Sequence, residues 1–240
     1  MAEDGVEIGG GLRSLEVDGA SLAYVVRGAG PGLLLPWCNL SWLELPLIDA
    51  LAERFTVVLA SPRGYQSSSR LPEPARYDAE MLFDDLLVVC DRVGVSRFSV
   101  LGYSLTAAMA ATLARVSDRV EALVVGGFPL LGSYERVLRR AQRDAPNVAD
   151  TAFDTRAALA FYRHLATLDD GALVRDVRCP VMAFWGTDDD LLDSFNLVSD
   201  YETALSERGV ATLALRGHDH LTAIVELNAE VVIDFLERGV

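Results

Sequence analysis

Arg97-Phe98-Ser99-Val100-Leu101-Gly102-Tyr103-Ser104-Leu105-Thr106-Ala107-Ala108 decides the fold of this chain. Phe98–Leu101 reads as a buried strand, and Leu105–Val116 reads as an alanine-rich helix that follows at once. Ser104 sits at the sharp turn between them. The pattern is G-x-S-x-G with Thr106 in place of the last glycine. Such a turn lifts the serine hydroxyl out of the sheet. It also leaves the serine at a helix N-terminus, where free backbone N–H groups and the positive dipole end favour a developing anion.

Outward from this stretch, short apolar strands alternate with helices. Ser21–Val26, Leu33–Leu35, Thr56–Ala60, Leu123–Val125, Val181–Trp185 and Ala211–Leu215 read as strands; Leu43–Arg54, Asp78–Val93 and Leu221–Leu236 read as helices. In Asp78–Val93 the apolar positions Met81, Leu82, Leu86 and Val89 recur at helical spacing, with Asp78 as N-cap and Gly94 as the stop. The alternation predicts an α/β fold with a mostly parallel central sheet and helices on both faces. Leu130 to Arg178 breaks the rhythm: it holds no convincing strand and reads as two or three short helices. Insertions of this kind in α/β sheets often act as lids, the other reading being one crossover helix with long loops. The expected organisation is one core, residues 1–129 and 179–240, with a small helical lid at residues 130–178.

The 240 residues are 51% hydrophobic, enough for a sizeable core. The net charge is −14, lysine is absent, and all 21 basic residues are arginine. An acidic chain without basic runs is a poor partner for nucleic acid or an anionic membrane, and its charge serves solubility. The missing lysine excludes a P-loop lysine and Schiff-base chemistry. Cys38, Cys90 and Cys179 are an odd, scattered set, neither a disulfide framework nor a metal knuckle. With no signal-type apolar region and no membrane-length apolar run, the expectation is a soluble cytoplasmic protein.

A serine hydroxyl needs a base, most often histidine. The chain has three. His164 lies among the lid helices and reads as a packed or surface residue. His218 and His220 lie in the turn between the last strand and the closing helix, at a strand end where ligands sit in open α/β sheets. A carboxylate should orient the imidazole. Asp188, Asp189 and Asp190 directly follow another strand. The order Ser…Asp…His results, and all three groups stand at strand ends.

On these residues the chain resembles the α/β-hydrolase fold superfamily over nearly its whole length. Gly32-Leu33-Leu34-Leu35 resembles the strand before that family's oxyanion loop. Ser61-Pro62-Arg63-Gly64-Tyr65-Gln66-Ser67-Ser68 resembles its D-x-R-G-x-G-x-S stretch, with Ser61 for the aspartate and Gln66 for a glycine. Asp84-Asp85 sits where relatives often carry such a pair. Pro180-Val181 with Gly186-Thr187-Asp188-Asp189 is similar to P-V-x-x-x-x-G-x-x-D, and Gly217-His218-Asp219-His220 to the closing G-x-x-H. The resemblance implies Ser104 as nucleophile, Asp189 as acid and His220 as base. It places oxyanion donors at the backbone N–H groups of Cys38 and Leu105. Each such donor lowers a barrier by on the order of 3 kcal/mol. Pro36-Trp37 stands where the family has His-Gly, an altered oxyanion loop.

The implied reaction is esterase-like: acyl transfer from a carboxylic ester or thioester to water through an acyl-enzyme. It needs no metal or organic cofactor, and no metal-ligand spacing is visible. Trp37, Tyr103, Phe128 and Phe161 are candidate pocket residues, joined by Leu40, Trp42, Phe153 and Tyr162. They suggest a small to medium apolar substrate. Two further readings stay open: C–C hydrolysis, lyase or cyclase chemistry by the same triad, and a ligand-binding protein with a vestigial site.

Overall fold

The computed structural model describes residues 7–9, 11–36, 40–145, 153–193 and 201–239. Its strands are β1 (Glu7–Gly9), β2 (Leu12–Val17), β3 (Ala20–Arg27), β4 (Gly32–Pro36), β5 (Thr56–Ala60), β6 (Phe98–Tyr103), β7 (Val120–Gly126), β8 (Val181–Gly186) and β9 (Ala211–Leu215). They form one sheet in the order β1-β2-β3-β5-β4-β6-β7-β8-β9. From β5 across to β9 every neighbouring pair is parallel; β1, β2 and β3 add an antiparallel edge. β6 is buried along its whole length, as a strand covered on both faces must be.

The helices are α1 (Pro46–Ala52), α2 (Ala79–Arg92), α3 (Leu105–Val116), α4 (Tyr134–Asp144), α5 (Thr155–Leu165), α6 (Ala172–Arg175), α7 (Asp190–Asp193), α8 (Tyr201–Ser206), α9 (Thr222–Val225) and α10 (Ala229–Gly239). One face of the sheet buries Leu82, Phe83, Leu86 and Val89 of α2 with the alanines of α3. The other buries Leu47, Ile48 and Leu51 of α1 with Val232, Ile233 and Leu236 of α10. Asp78 caps α2 by accepting from the Met81 N–H at 2.9 Å.

Three local differences from the sequence reading have physical causes. The Leu43–Arg54 helix is split: a 3-10 turn spans Leu40–Glu44, and α1 restarts at Pro46, whose missing N–H costs nothing in a first turn. Leu221–Leu236 is likewise two helices, α9 and α10, because Asn228 accepts from the Glu230 N–H at 2.9 Å and starts a new helix. The β2–β3 hairpin was not anticipated. Its signal is Asp18-Gly19, both at positive φ (48° and 75°), the pair a two-residue hairpin turn needs.

Between β7 and β8 the described residues form α4, α5 and α6, tied to the core by a polar latch at the start of α5. The Asp154 N–H donates to the Gly64 carbonyl at 2.6 Å. The Asp154 carboxylate, buried, accepts from the Tyr77 hydroxyl at 3.0 Å and from the Arg156 amide and guanidinium. Together these hold Asp154 below the usual carboxylate range against the opposing effect of burial.

His164, on α5, sets its ring edge against Phe83 with centroids 6.2 Å apart. Its Nε2 is buried with no hydrogen-bond partner among the described residues. Burial first, and then Arg115, lower its pKa. The folded protein therefore resists a proton that the unfolded chain accepts. The resulting stability is fully present above the ordinary histidine pKa of about 6.5 and is lost as pH falls below it. Between pH 7.5 and 5, the thermal midpoint of the wild type should fall further than that of His164→Leu. Parallel curves would show that this imidazole stays free to titrate.

Candidate active site

The sheet reverses its winding at β4: β5 lies on one side and β6 on the other. Crevices at the carboxyl ends of strands beside such a switch point are where α/β sheets bind ligands. Ser104 stands there, after β6, with φ 55° and ψ −126°. Positive φ is costly for a residue with a side chain, and it persists at sites the surroundings over-determine. Gly102 makes the turn possible, since a Cβ there would collide with the Thr106 carbonyl oxygen. Thr106, at the motif's last glycine, is buried. Its hydroxyl accepts from the Tyr103 N–H at 3.1 Å and donates to the Tyr103 carbonyl at 2.9 Å. The branched side chain thus ties the turn together. Gln66, where the resembled D-x-R-G-x-G-x-S stretch has a glycine, takes the left-handed conformation with φ 42°.

His220, in the turn after β9, reaches across the strand ends. Its Nε2 lies 3.0 Å from Ser104 Oγ and its Nδ1 lies 2.8 Å from Asp189 Oδ2. A carboxylate only accepts, so Nδ1 carries the hydrogen and Nε2 offers its lone pair to the serine hydroxyl. Asp189 follows β8; its side chain is 1% exposed, and its other oxygen accepts from the Leu192 N–H at 3.2 Å. The neighbours do other things. Asp188 accepts from the Thr187 hydroxyl, and Asp190 begins α7. The His218 carbonyl accepts from the Asp188 N–H. Ser104, Asp189 and His220, separated by 31 to 116 residues in sequence, thus form one chain of hydrogen bonds.

A cavity of about 160 Å³ opens beside Ser104 and Leu105. Phe128 and Pro129 line it from the end of β7, Val137 and Ala141 from α4, and Ala158, Leu159 and Tyr162 from α5. Arg140 and Asp144, ion-paired at 3.4 Å, edge it. Of the residues expected in the pocket, Phe128, Phe153 and Tyr162 line this cavity. Phe161 does not: it is fully buried, edge-on to Phe83. Tyr103 does not either, but lies beneath His220, stacked on Phe184 and meeting Trp42 edge-on. The ring at 161 is taken up by packing against Phe83 of α2, and that of Tyr103, the last residue of β6, by packing against Phe184 of β8. Trp37 and Cys38 lie outside the described residues; Leu105 opens α3. Val137 and Ala141 of α4 and Ala158 and Leu159 of α5 were not read as cavity residues from the sequence, although Val137 and Ala141 repeat at helical spacing. Periodicity shows an apolar face but not what it faces.

Burial raises the thiol pKa of Cys90 to about 12 and also raises that of Cys179, so neither is a ready nucleophile. Among the described residues, no group of three or more His, Cys, Asp and Glu side chains is placed to hold a metal ion, and no helix is long and apolar enough to cross a membrane.

Residues 29–127 match the family described as alpha/beta hydrolase fold. No curated protein matches the chain in sequence. Among solved structures, the chain is similar to a structure from a study of carboxylesterases of the thaumarchaeon Nitrososphaera gargenis, with 19% identity and TM-score 0.70 over 95% of this chain and 98% of that one. A mutant epoxide hydrolase of Vigna radiata aligns with 18% identity and TM-score 0.73 over 95% and 98%. The enol-lactonase of Burkholderia xenovorans aligns with 20% identity and TM-score 0.68 over 93% and 99%.

Proposed function

We propose that this chain, which has the α/β-hydrolase fold, is a serine hydrolase acting on a carboxylic ester or thioester with a small to medium apolar acyl group. The observation that carries the reading is the continuous relay from Asp189 through His220 to Ser104, at 2.8 and 3.0 Å, opening on an apolar cavity. Ser104 Oγ attacks the carbonyl carbon while its proton passes to His220 Nε2. Asp189 holds the imidazole and stabilises the imidazolium. The oxyanion is held by the Leu105 N–H at the start of α3 and, by resemblance, by that of Cys38. His220 then protonates the leaving group, and water, activated by the same nitrogen, releases the acid. Arg140 and Asp144, paired at 3.4 Å, stand at the cavity's edge, and most of the remaining lining is apolar. Residues 130–178 act as the lid that excludes water from it. The free thiols of Cys90 and Cys179 fit a cytoplasmic setting.

A fluorophosphonate probe tests this directly. Wild-type protein is expected to label covalently and to hydrolyse short p-nitrophenyl esters, and Ser104→Ala is expected to do neither. A folded wild type that remains unlabelled would remove the nucleophile.

A further inference from the structure

The serine-hydrolase reading leaves open what keeps His220 in place on a loop that is largely exposed: Asp219 lies in solvent and Leu221 is 74% exposed. The bonds within the loop secure its flanks. Asp219 Oδ1 accepts from the Leu221 and Thr222 N–H groups, and the Gly217 N–H donates to the Thr187 hydroxyl. Besides the imidazole's bonds to Asp189 and Ser104, His220 is contacted from the strand below. The Tyr103 hydroxyl donates to the His220 carbonyl at 2.6 Å, and the Tyr103 ring underlies the imidazole, centroids 5.3 Å apart and planes inclined by 36°.

This support is built into the sheet. Tyr103 is 3% exposed and stacks on Phe184 of β8, centroids 5.4 Å apart. Gly127, at φ 60°, leaves the space its ring occupies: a Cβ there would lie 2.6 Å from Tyr103 Cζ. At its own backbone Tyr103 is held by both bonds to the Thr106 hydroxyl. One residue therefore joins the turn that presents the nucleophile to the loop that presents the base. Burial raises the Tyr103 pKa, so its hydroxyl stays a donor wherever the relay works.

Resting on that reading, we propose that Tyr103 is a positioning residue: through its hydroxyl bond to the His220 carbonyl and its ring beneath the imidazole, it fixes the base against Ser104. Misplacing a catalytic group by about 1 Å can cost on the order of 100-fold in rate. Losing the hydroxyl alone loosens the loop less, because water can reach the freed carbonyl.

The test compares Tyr103→Phe, Tyr103→Leu and Tyr134→Phe with the wild type, measuring kcat and KM on a p-nitrophenyl ester, the rate of fluorophosphonate labelling and the thermal midpoint. Tyr134→Phe controls for a purely structural role. It loses a buried hydroxyl of the same kind, bonded to the Leu130 carbonyl at 2.8 Å, away from His220. Tyr103→Phe should lower kcat and the labelling rate about tenfold, with KM within twofold. Tyr103→Leu should lower them about 100-fold, and Tyr134→Phe should change only stability. The proposal is overturned if Tyr103→Phe keeps kcat within twofold, or if Tyr134→Phe loses as much rate. An unlabelled, inactive wild type would instead overturn the serine-hydrolase reading and this one with it.

Discussion

Under the proposed serine-hydrolase function, Asp189→Asn is expected to turn over a p-nitrophenyl ester about 10⁴-fold more slowly than the wild type while remaining folded. The size of the effect follows from which imidazole nitrogen holds the hydrogen. The Asp189 carboxylate, 2.8 Å from Nδ1, can only accept, so it selects the tautomer whose Nε2 faces Ser104 with a lone pair. An amide at the same place can present its NH₂ group to Nδ1. The hydrogen then moves to Nε2, and the base points a donor at the hydroxyl it should deprotonate. In serine hydrolases with this relay, that exchange of tautomer costs on the order of 10⁴ in kcat with little change in geometry. The side chain is buried and its other oxygen accepts from the Leu192 N–H, a bond the asparagine carbonyl can keep. Measuring kcat alongside the thermal midpoint separates chemistry from folding. A loss smaller than about tenfold in a folded variant would show that Asp189 does not orient the base.

Asp85→Ala should destabilise the fold strongly. The Asp85 side chain is fully buried and that of Arg63 is 3% exposed. Arg63 donates to the carboxylate from its backbone N–H at 2.9 Å, from Nε at 2.8 Å and from Nη2 at 2.6 Å. Truncating the acid leaves a guanidinium and an amide in the core without that acceptor. Breaking a buried pair from one side costs about 3–5 kcal/mol. For a domain of this size, 1 kcal/mol corresponds to roughly 2–4 °C, so the midpoint should fall by on the order of 10 °C. The double variant Arg63→Met/Asp85→Leu removes both charges and should regain most of the loss. A single variant within about 1 kcal/mol of the wild type would contradict this account. The pair lies beneath the loop that receives Asp154, since Gly64 accepts the Asp154 N–H and Tyr65 bridges to Phe153. Its loss should therefore also loosen the attachment of α5 over the cavity.

Arg63 and Asp85 also show how far the sequence could be read. Asp84-Asp85 was visible as a pair. Helical phase alone turns Asp85 inward and Asp84 to solvent, and only packing gives the inward acid its arginine. The elbow behaves differently. A buried strand, Gly102, a serine and a small-residue helix specify the turn locally, and α3 begins and ends where its residues predict. Thr106 adds a branched side chain where the motif has a glycine. Its hydroxyl satisfies the Tyr103 backbone, a bond that depends on a rotamer the sequence does not display. The aromatics divide for a related reason. Phe128 follows a strand end and meets the cavity, whereas Phe161 and Tyr103 belong to faces whose direction is set by neighbouring elements.

The sequence by itself determined the alternation of strands and helices, the sharp turn at Ser104, and the placing of Asp189 and His220 at the ends of later strands. These are short-range properties, written in periodicity, caps and turn residues within a few positions of one another. The motif resemblance singles out Asp189 and His220 within their clusters. Tertiary structure alone decided that they come within hydrogen-bond distance of each other and of Ser104, and that α4 and α5 line the cavity beside them. Those outcomes turn on distances of a few ångströms between groups far apart along the chain, fixed by the order and twist of the sheet.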